Sequence, residues 1–356
     1  MKKMRSTNWR TRLLKNISFM LFIGLIFSSC TSETEIRKVT YPELFDGKYD
    51  SEFPARSSSE QLEKISNSIR LVNSIAFYRT YHFNLNDSIT VSSIINEDYK
   101  NYVASSTIFD ETASGTGTLI YSYRDVLAIL TCAHVINFPD SIKSFHLTES
   151  GKRTEYLKSF SLIVKQDIYV VPSYEEGNFE LILQDNDLDI AILKKKLKSE
   201  QLFKVPTLSI PLGNAAELNW GTFVYVFGFP ANYKMISKAI VSSPNYDKKS
   251  SFIIDAVANQ GMSGGIVLAI RDGIPNFELV GMVLSAPASY EYVLRPHKES
   301  EMVVGSEYKG RLVADAQRNI KFGITKVLSI EAILRFIEKN KSTLSKHEIQ
   351  YDYVFR

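Results

Sequence analysis

The chain has 356 residues, of which 44% are hydrophobic, 12% aromatic and 23% charged. This is the composition of a globular protein with enough apolar residues for one large domain or two small ones, and its many aromatic residues favour β-structure over a helical bundle. The net charge of +3 arises from six basic residues within positions 1–29, where no acidic residue occurs, so the remainder carries a net charge of −3. A mildly acidic protein provides no electrostatic case for nucleic acid as a partner.

The first element along the chain is a predicted export signal over residues 1–29. A basic stretch ends at Lys15, and a largely apolar run of eleven residues follows from Ile17 to Phe27. A membrane-spanning helix needs about 20 apolar residues, so this run is too short to cross a bilayer. Its length and its basic flank are those of a signal-peptide core.

Cys30 follows this segment and is preceded by the small residues Ser28 and Ser29. The pattern resembles a bacterial lipobox, in which the cysteine becomes the new N-terminus and carries lipid, with Phe27 where Leu is commonest. An ordinary secreted protein with an unrelated cysteine is the alternative. We expect a bacterial cell-envelope protein, facing the periplasm or the outer surface, attached to the membrane by lipid on Cys30 and a polar tether over residues 30–57.

A short amphipathic helix is predicted after the tether. Ser57 and Glu60 have the spacing of a capping box, in which the two side chains satisfy the first N–H groups of a helix. Apolar residues follow at helical spacing; they are Leu62, Ile65, Ile69 and Val72.

The region from Ile75 onward is predicted to be all β-structure. About a dozen short runs rich in β-branched and aromatic residues alternate with turn residues, which is typical of β-barrels rather than of a helix-linked parallel sheet. Near the end, Ser329–Asn340 predicts an amphipathic helix. We therefore expect one domain over residues 58–341 and a C-terminal tail over residues 342–356.

The first candidate catalytic residue is His134, in the segment Leu130–Val135 (LTCAHV). This histidine closes a predicted strand at the start of a helix-like turn, and a rigid strand end can hold a general base in place. The other four histidines are interpreted as structural or solvated. Cys132, in the same segment, is interpreted as a small buried hydrophobic residue rather than a reactive thiol.

The second candidate is Asp189, which opens the apolar segment Ile190–Leu193. Burying a carboxylate is costly unless it is paired, and a protonated histidine would provide the partner while the carboxylate fixed the imidazole tautomer. A solvated acidic loop containing Asp185, Asp187 and Asp189 is the alternative. Asp187 competes for the same role because residues two apart on a strand share a face.

The third candidate is Ser263, in the segment Gly261–Gly265 (GMSGG) before the predicted strand Ile266–Ile270. Glycines beside a serine let the backbone turn sharply and direct its N–H groups at one point, where each can stabilise an oxyanion by roughly 3–4 kcal/mol. A plain glycine-rich turn is the alternative. An α/β-hydrolase requires the order Ser, acid, His and alternating helices, and this chain has neither.

The segments around His134, Asp189 and Ser263 together resemble the three signatures of chymotrypsin-fold serine peptidases. Three further segments resemble the bacterial HtrA/Deg branch of that family: Gly115–Thr118, Gly228–Pro230 and Leu279–Met282. The resemblance extends from about Ile75 to Asn340. It implies two six-stranded antiparallel β-barrels with the site between them, an N-terminal and a C-terminal helix, no PDZ domain, and insertions around residues 143–178 and 291–319.

The resemblance also implies serine endopeptidase activity on unfolded or exposed polypeptide segments, without a metal or cofactor. Ser263 would attack the peptide carbonyl, His134 would take its proton and Asp189 would orient the imidazole. The N–H groups of Gly261 and Ser263 would form the oxyanion hole, with help from Met262. A weakly catalytic, peptide-binding protein with a chaperone-like role and an esterase with the same triad are the alternatives.

In this fold, residues just before the serine and on the strand after it line the specificity pocket. In this sequence they are Val257, Ala258, Asn259, Ser285 and Ala286. No acidic residue occurs between Ala256 and Ile270, so a buried Lys or Arg side chain would find no countercharge. We expect a preference for Val, Ala, Ile or Leu before the cut.

Overall fold

A computed structural model describes residues 45–52, 57–148, 150–173, 177–198, 205–247, 251–285, 288–296, 305, 312–321 and 323–356. The compact unit that holds the candidate site spans Tyr49–Arg356. The predicted export signal and Cys30 lie outside the described residues, as does most of the tether. In the described part of the chain, no helix has the length and apolar character needed to span a membrane.

The described residues form four α-helices and fifteen β-strands, numbered here in chain order. The helices are α1 Ser59–Ser66, α2 Val91–Ile95, α3 Ile330–Lys339 and α4 Lys341–Lys346. The strands of the first half are β1 Ile69–His82, β2 Ser105–Tyr123, β3 Val126–Thr131, β4 Ser141–Leu147, β5 Arg153–Val171, β6 Glu180–Asp185 and β7 Ile190–Lys196. Those of the second half are β8 Phe223–Gly228, β9 Met235–Asp247, β10 Ser251–Ile254, β11 Ile266–Ile270, β12 Phe277–Ser285, β13 Ala288–Pro296, β14 Leu312–Ile320 and β15 Thr325–Ser329.

Helix α1 is shorter than the spacing of apolar residues predicted. Ile69 and Val72, which continue the helical pattern, lie instead in β1, where they pair with Thr118 and Gly115 of β2. Both are fully buried in the sheet. The N-cap is Ser58, and its side chain makes no capping hydrogen bond. A β-branched residue fits a buried strand as well as a helix face, so the pattern alone could not separate the two.

The first half of the domain is one antiparallel sheet of seven strands in the order β4-β5-β1-β2-β3-β7-β6. The resemblance implied a closed barrel of six strands in this half. The sheet differs from that expectation because β2 and β5 are long enough to pair with a further strand. β2 and β5 each have 19 residues, and β4 pairs with the outer part of β5, so the implied insertion at residues 143–178 is a continuation of the sheet. A small separate core packs under this extension; it consists of Phe83, Ile89, Tyr99, Leu157 and Phe160.

The second half is a closed barrel of six strands in the order β10-β15-β12-β11-β8-β9. Its interior is filled by small and branched side chains; among them are Val224, Val226, Val267, Val280 and Val327. This barrel and the seven-stranded sheet together give a chymotrypsin-like fold, and the predicted all-β class is confirmed.

A two-stranded ribbon, β13 paired with β14, extends from the barrel within the region where the second insertion was expected. It begins three residues after β12 ends at Ser285 and returns to β15. Three large apolar side chains on β13 are exposed to solvent; they are Tyr290, Tyr292 and Leu294. The described part of the insertion is therefore an antiparallel ribbon.

The C-terminal residues pack against the first sheet. Ser329 caps α3 by accepting a hydrogen bond from the Ala332 N–H, and the helix buries its apolar face. Beyond α4, Ile349 and Phe355 are buried, and the Phe355 N–H donates to the Ile120 carbonyl at 2.7 Å. Residues that carried no signal in the sequence thus complete the core of the domain.

Candidate active site

His134 follows β3 and Asp189 precedes β7. Because these neighbouring strands are antiparallel, both residues lie at the same end of the sheet. β3 pairs with β7 so that Thr131 lies opposite Ala191, and a short 3-10 turn over Ala133–Val135 follows β3. Asp189 directly precedes β7. The antiparallel register therefore brings the histidine and the carboxylate together, although they are 55 residues apart.

Two hydrogen bonds join these residues. The His134 Nδ1 lies 2.7 Å from Oδ2 of Asp189, and the His134 backbone N–H donates to Oδ1 at 2.9 Å. A carboxylate at Nδ1 fixes the imidazole with its proton on Nδ1, which leaves the Nε2 lone pair free to accept a proton. The His134 side chain is 49% exposed, so this nitrogen can reach a substrate.

The side-chain partner of His134 is Asp189, and neither of the competing carboxylates bonds to it in the described part of the chain. Asp185 caps the turn that leads to Asp189, because its Oδ1 accepts the backbone N–H groups of Asp187 and Leu188. Asp189 itself has a φ of +57°, in the left-handed region that aspartate tolerates better than most residues. The tight turn therefore directs Asp189, and not Asp187, toward the imidazole.

Ser263 lies in the turn before β11, close to the histidine segment. Its carbonyl accepts the Thr116 N–H at 2.7 Å. A Cβ atom placed on Gly115 would lie 2.4 Å from Val135 Cγ2 and 3.1 Å from the Ser263 carbonyl, so both residues pack on this glycine. The hydroxyl of Ser263 makes no hydrogen bond within the described part of the chain, so the predicted contact with His134 is not formed in this structure.

The turn around Ser263 leaves two backbone donors free. The Met262 N–H donates to the Asn259 carbonyl at 3.0 Å, and the Gly264 and Gly265 N–H groups donate to Val283 and Met262. Among the described residues, the N–H groups of Gly261 and Ser263 have no acceptor. These are two of the three donors predicted for the oxyanion hole; Met262 is not available because its N–H is already engaged.

Two glycines of this turn have no substitute. Gly261 has a φ of +99°, and a Cβ atom there would lie 2.2 Å from the Phe229 carbonyl oxygen. Gly264 has a φ of +87°, and a Cβ atom there would lie 2.0 Å from the Thr116 carbonyl oxygen. The close approach of three backbone segments fixes the position of the serine.

Cys132 is fully buried beside the His134 and Asp189 pair. The three side chains offer ligand atoms within 4.8 Å of one another, a grouping that could hold a metal ion. The thiol, however, lies 3.3 Å from the Val283 carbonyl and can donate to it, and burial together with the nearby Asp189 charge raises its pKa. Because a thiolate is the form that ligates metals, this environment favours a structural thiol, as the sequence predicted.

The residues predicted to line the specificity pocket are only partly described. Val257 is 55% exposed, Asn259 is also exposed, and Ala258 is buried. Ser285 ends β12, but its side chain and the whole of Ala286 lie outside the described part. Val257 and Asn259 are thus accessible on one side of the turn, four to six residues before Ser263.

Thr116 is the residue of this site that sequence reasoning missed. Its hydroxyl donates to the Gly261 carbonyl at 2.7 Å and accepts the Phe229 N–H at 2.9 Å. Its carbonyl accepts the Thr131 hydroxyl at 2.8 Å, at the end of the strand that precedes His134. A threonine between two glycines in the segment GTGT was its only signal in the sequence.

Comparisons with known proteins agree with this geometry. Residues 115–282 match a sequence family described as a trypsin-like peptidase domain, and the three candidate residues lie within the match. The match supports a peptidase of the trypsin-like class. No curated protein sequence matches the chain.

One solved structure similar to this chain is the serine endoprotease from Yersinia pestis, with 16% sequence identity and a TM-score of 0.38. The similarity covers 81% of this chain and 67% of that one. At this TM-score the similarity carries no argument about the site or its function.

Proposed function

We propose that this chain is a serine endopeptidase with Ser263 as nucleophile, His134 as general base and Asp189 as the carboxylate that orients the histidine. The observation that carries the proposal is the pair of hydrogen bonds from His134 to the two oxygens of Asp189. A histidine held at both its backbone and its ring has one orientation, which is what a general base requires.

The proposed reaction has two stages. The Ser263 Oγ attacks the peptide carbonyl carbon while the His134 Nε2 takes its proton, and the oxygen that becomes negative is stabilised by the free N–H groups of Gly261 and Ser263. Collapse of this intermediate expels the amine, which receives the proton from His134. A water molecule activated by the same nitrogen then hydrolyses the acyl group from Ser263. The Ser263 Oγ must first come within hydrogen-bond distance of the His134 Nε2.

A fluorophosphonate probe tests the proposal, because it reacts only with an activated serine. Wild type should be labelled and should degrade unfolded casein, whereas Ser263→Ala and His134→Ala should do neither. His82→Ala is the matched control, since that histidine is bonded to Thr107 at a distance from the site. Labelling of Ser263→Ala at the wild-type rate would refute the assignment.

We further propose cleavage after small apolar residues. The five residues expected to line the pocket carry no charge that could pair with a basic side chain; they are Val257, Ala258, Asn259, Ser285 and Ala286. A hydrophobic pocket discriminates by only about 1–3 kcal/mol per methylene-sized mismatch, so cleavage should be broad. A peptide-library digest decides the point, and dominant cleavage after Lys or Arg would contradict it.

A weakly catalytic, peptide-binding role is the second candidate. The observation that favours it is the Ser263 hydroxyl, which is not hydrogen-bonded to His134. Under this alternative, wild type binds unfolded casein but reacts with the probe no faster than Ser263→Ala. Measuring labelling and binding on the same preparation separates the two roles.

We also propose that the protein is held on the bacterial cell envelope by lipid at Cys30. The support is the sequence alone: an apolar run too short to span a bilayer, followed by Ser28, Ser29 and Cys30. Cys30→Ala should release the protein from the membrane fraction or leave the precursor unprocessed. Mature protein that lacks Cys30 would refute the proposal.

A further inference from the structure

We infer that Thr116 is a positioning residue for catalysis, whose hydroxyl holds the turn Gln260–Gly264 in the shape that leaves two N–H groups free for the oxyanion. The inference rests on the proposed peptidase function for its consequence, but its structural part can be tested without catalysis.

Thr116 makes hydrogen bonds across the domain through both its side chain and its backbone. Its side chain is completely buried and bridges two segments of the second half, donating to the Gly261 carbonyl and accepting the Phe229 N–H. Its backbone N–H donates to the Ser263 carbonyl at 2.7 Å. One residue of β2 therefore bonds to two carbonyls of the nucleophile turn, on either side of Met262.

The peptide bond is planar, so each C=O and the N–H that follows it rotate together. The peptide that joins Gly261 to Met262 is bonded at both ends, by the Thr116 hydroxyl and by the Asn259 carbonyl. The peptide that joins Ser263 to Gly264 is also bonded at both ends, by the Thr116 N–H and by the Val283 carbonyl. Neither peptide can rotate without losing two hydrogen bonds.

The two peptides that alternate with these are each bonded at one end only. The Gln260 carbonyl accepts the Ala231 N–H at 2.9 Å, and the Met262 carbonyl accepts the Gly265 N–H at 2.9 Å. Each of these peptides is bonded only through its carbonyl, and their N–H groups are those of Gly261 and Ser263. Peptides bonded at both ends thus alternate along the turn with peptides whose N–H is free. The Thr116 hydroxyl bonds the Gly261–Met262 peptide, which lies between the two free N–H groups.

Removing this hydroxyl would leave the central peptide with only one hydrogen bond, from the Met262 N–H to the Asn259 carbonyl. The Gly261 carbonyl would lose its buried donor, and rotation of that peptide would carry both flanking N–H groups away from a common point. The ability to bind polypeptide would remain, since the pocket residues are untouched. The expected signature is therefore a loss in kcat with little change in KM.

Thr118 provides a matched control. It lies two residues further along β2, it is also completely buried, and its hydroxyl has no hydrogen-bond partner in the described part of the chain. Threonine and valine have nearly the same shape, so Thr118→Val changes polarity in the same strand without removing a bond. Thr116→Ser keeps the hydroxyl and should restore function.

The experiment compares wild type, Thr116→Val, Thr116→Ser and Thr118→Val below their melting temperatures, with a chromogenic peptide ester as substrate. Thr116→Val should lower kcat by about 10²–10³-fold, the effect of losing an oxyanion donor, with KM within a few-fold of wild type. Thr116→Ser should recover most of this loss, and Thr118→Val should match wild type. Equal kcat for the two valine variants, or a change in KM alone, would overturn the inference.

Amide hydrogen exchange at Met262 and Gly264 gives a second readout that does not depend on activity. The Met262 N–H, whose peptide loses the bond from the hydroxyl, should exchange faster in Thr116→Val than in Thr118→Val. The Gly264 N–H, whose peptide keeps its bond from the Thr116 backbone, should exchange at the same rate in both variants. Identical exchange of Met262 in the two variants would overturn the positioning role even in an active enzyme. A wild type that never reacts, but whose turn loosens in Thr116→Val, would refute the peptidase function and retain the role of Thr116 in the turn.

Discussion

Asp189 binds His134 twice, through the backbone N–H with one carboxylate oxygen and through the imidazole Nδ1 with the other. The first bond sets where the histidine segment lies, and the second sets how its ring is turned. Since both bonds come from one side chain, removing the Asp189 carboxylate disturbs the ring and the backbone together.

Asp189→Asn is therefore expected to abolish most of the proposed activity. The amide would present an N–H group where an oxygen is needed, so the imidazole would adopt the wrong tautomer; the corresponding change in a serine protease lowers kcat by about 10⁴-fold. Asp187→Asn should retain most activity, because its carboxylate does not contact His134. The rates of probe labelling of the two variants test this, and the opposite ranking would mean that Asp187 is the catalytic acid.

Gly264→Ala should inactivate and destabilise the protein. A left-handed φ costs a non-glycine residue about 1–2 kcal/mol, and the added Cβ would also press against the Thr116 carbonyl, which cannot retreat. Gly221→Ala is the control, because Gly221 has a similar φ of +84° but open space around it. Thermal unfolding should show the larger loss for Gly264→Ala; equal losses would mean that the backbone contact is unimportant.

The contribution of Cys132 to stability should depend on pH. Its pKa is raised in the folded state, by burial first and by the Asp189 charge second. The unfolded thiol ionises near its ordinary pKa of about 8.5, so the stabilisation is complete below that pH and is lost as the pH rises above it. Denaturation of wild type and Cys132→Ala under reducing conditions between pH 7 and pH 10 measures the effect. A stability difference that stays constant over this range would contradict the pKa shift.

Phe355→Ala should destabilise the domain although Phe355 is the penultimate residue. Its side chain is buried against the first sheet, and truncating a buried Phe costs about 3–5 kcal/mol. Trp220→Ala, at a side chain that is 71% exposed, should change the free energy of unfolding by no more than about 0.5 kcal/mol. Urea denaturation compares them; equal stabilities would show that the C-terminal residues do not support the core.

The sequence predicted the fold class and the pairing of His134 with Asp189 because both depend on local signals. A histidine at the end of one buried strand and an acid at the start of another are visible in a few residues each. The antiparallel pairing of β3 with β7 then brings the two residues to the same end of the sheet.

The role of Thr116 could not be predicted, because its partners are 145 and 113 residues away and are backbone groups without a sequence signature. The extension of the first sheet beyond six strands was not predicted either. In the outer part of β2, buried and exposed side chains do not alternate, because residues on both faces near Ser105–Glu111 are exposed. A strand exposed on both faces carries no period-2 pattern to detect.

The dependence of the Ser263 turn on Thr116 has a consequence for the newly made chain. β2 emerges early in synthesis and the turn much later, and the turn acquires its alternating bonded and free peptides only when both halves of the domain have formed. If Ser263 is the nucleophile, as proposed above, a partly folded chain holds a serine without an organised oxyanion site. Such a chain could not cut its own exposed segments before both halves of the domain have formed.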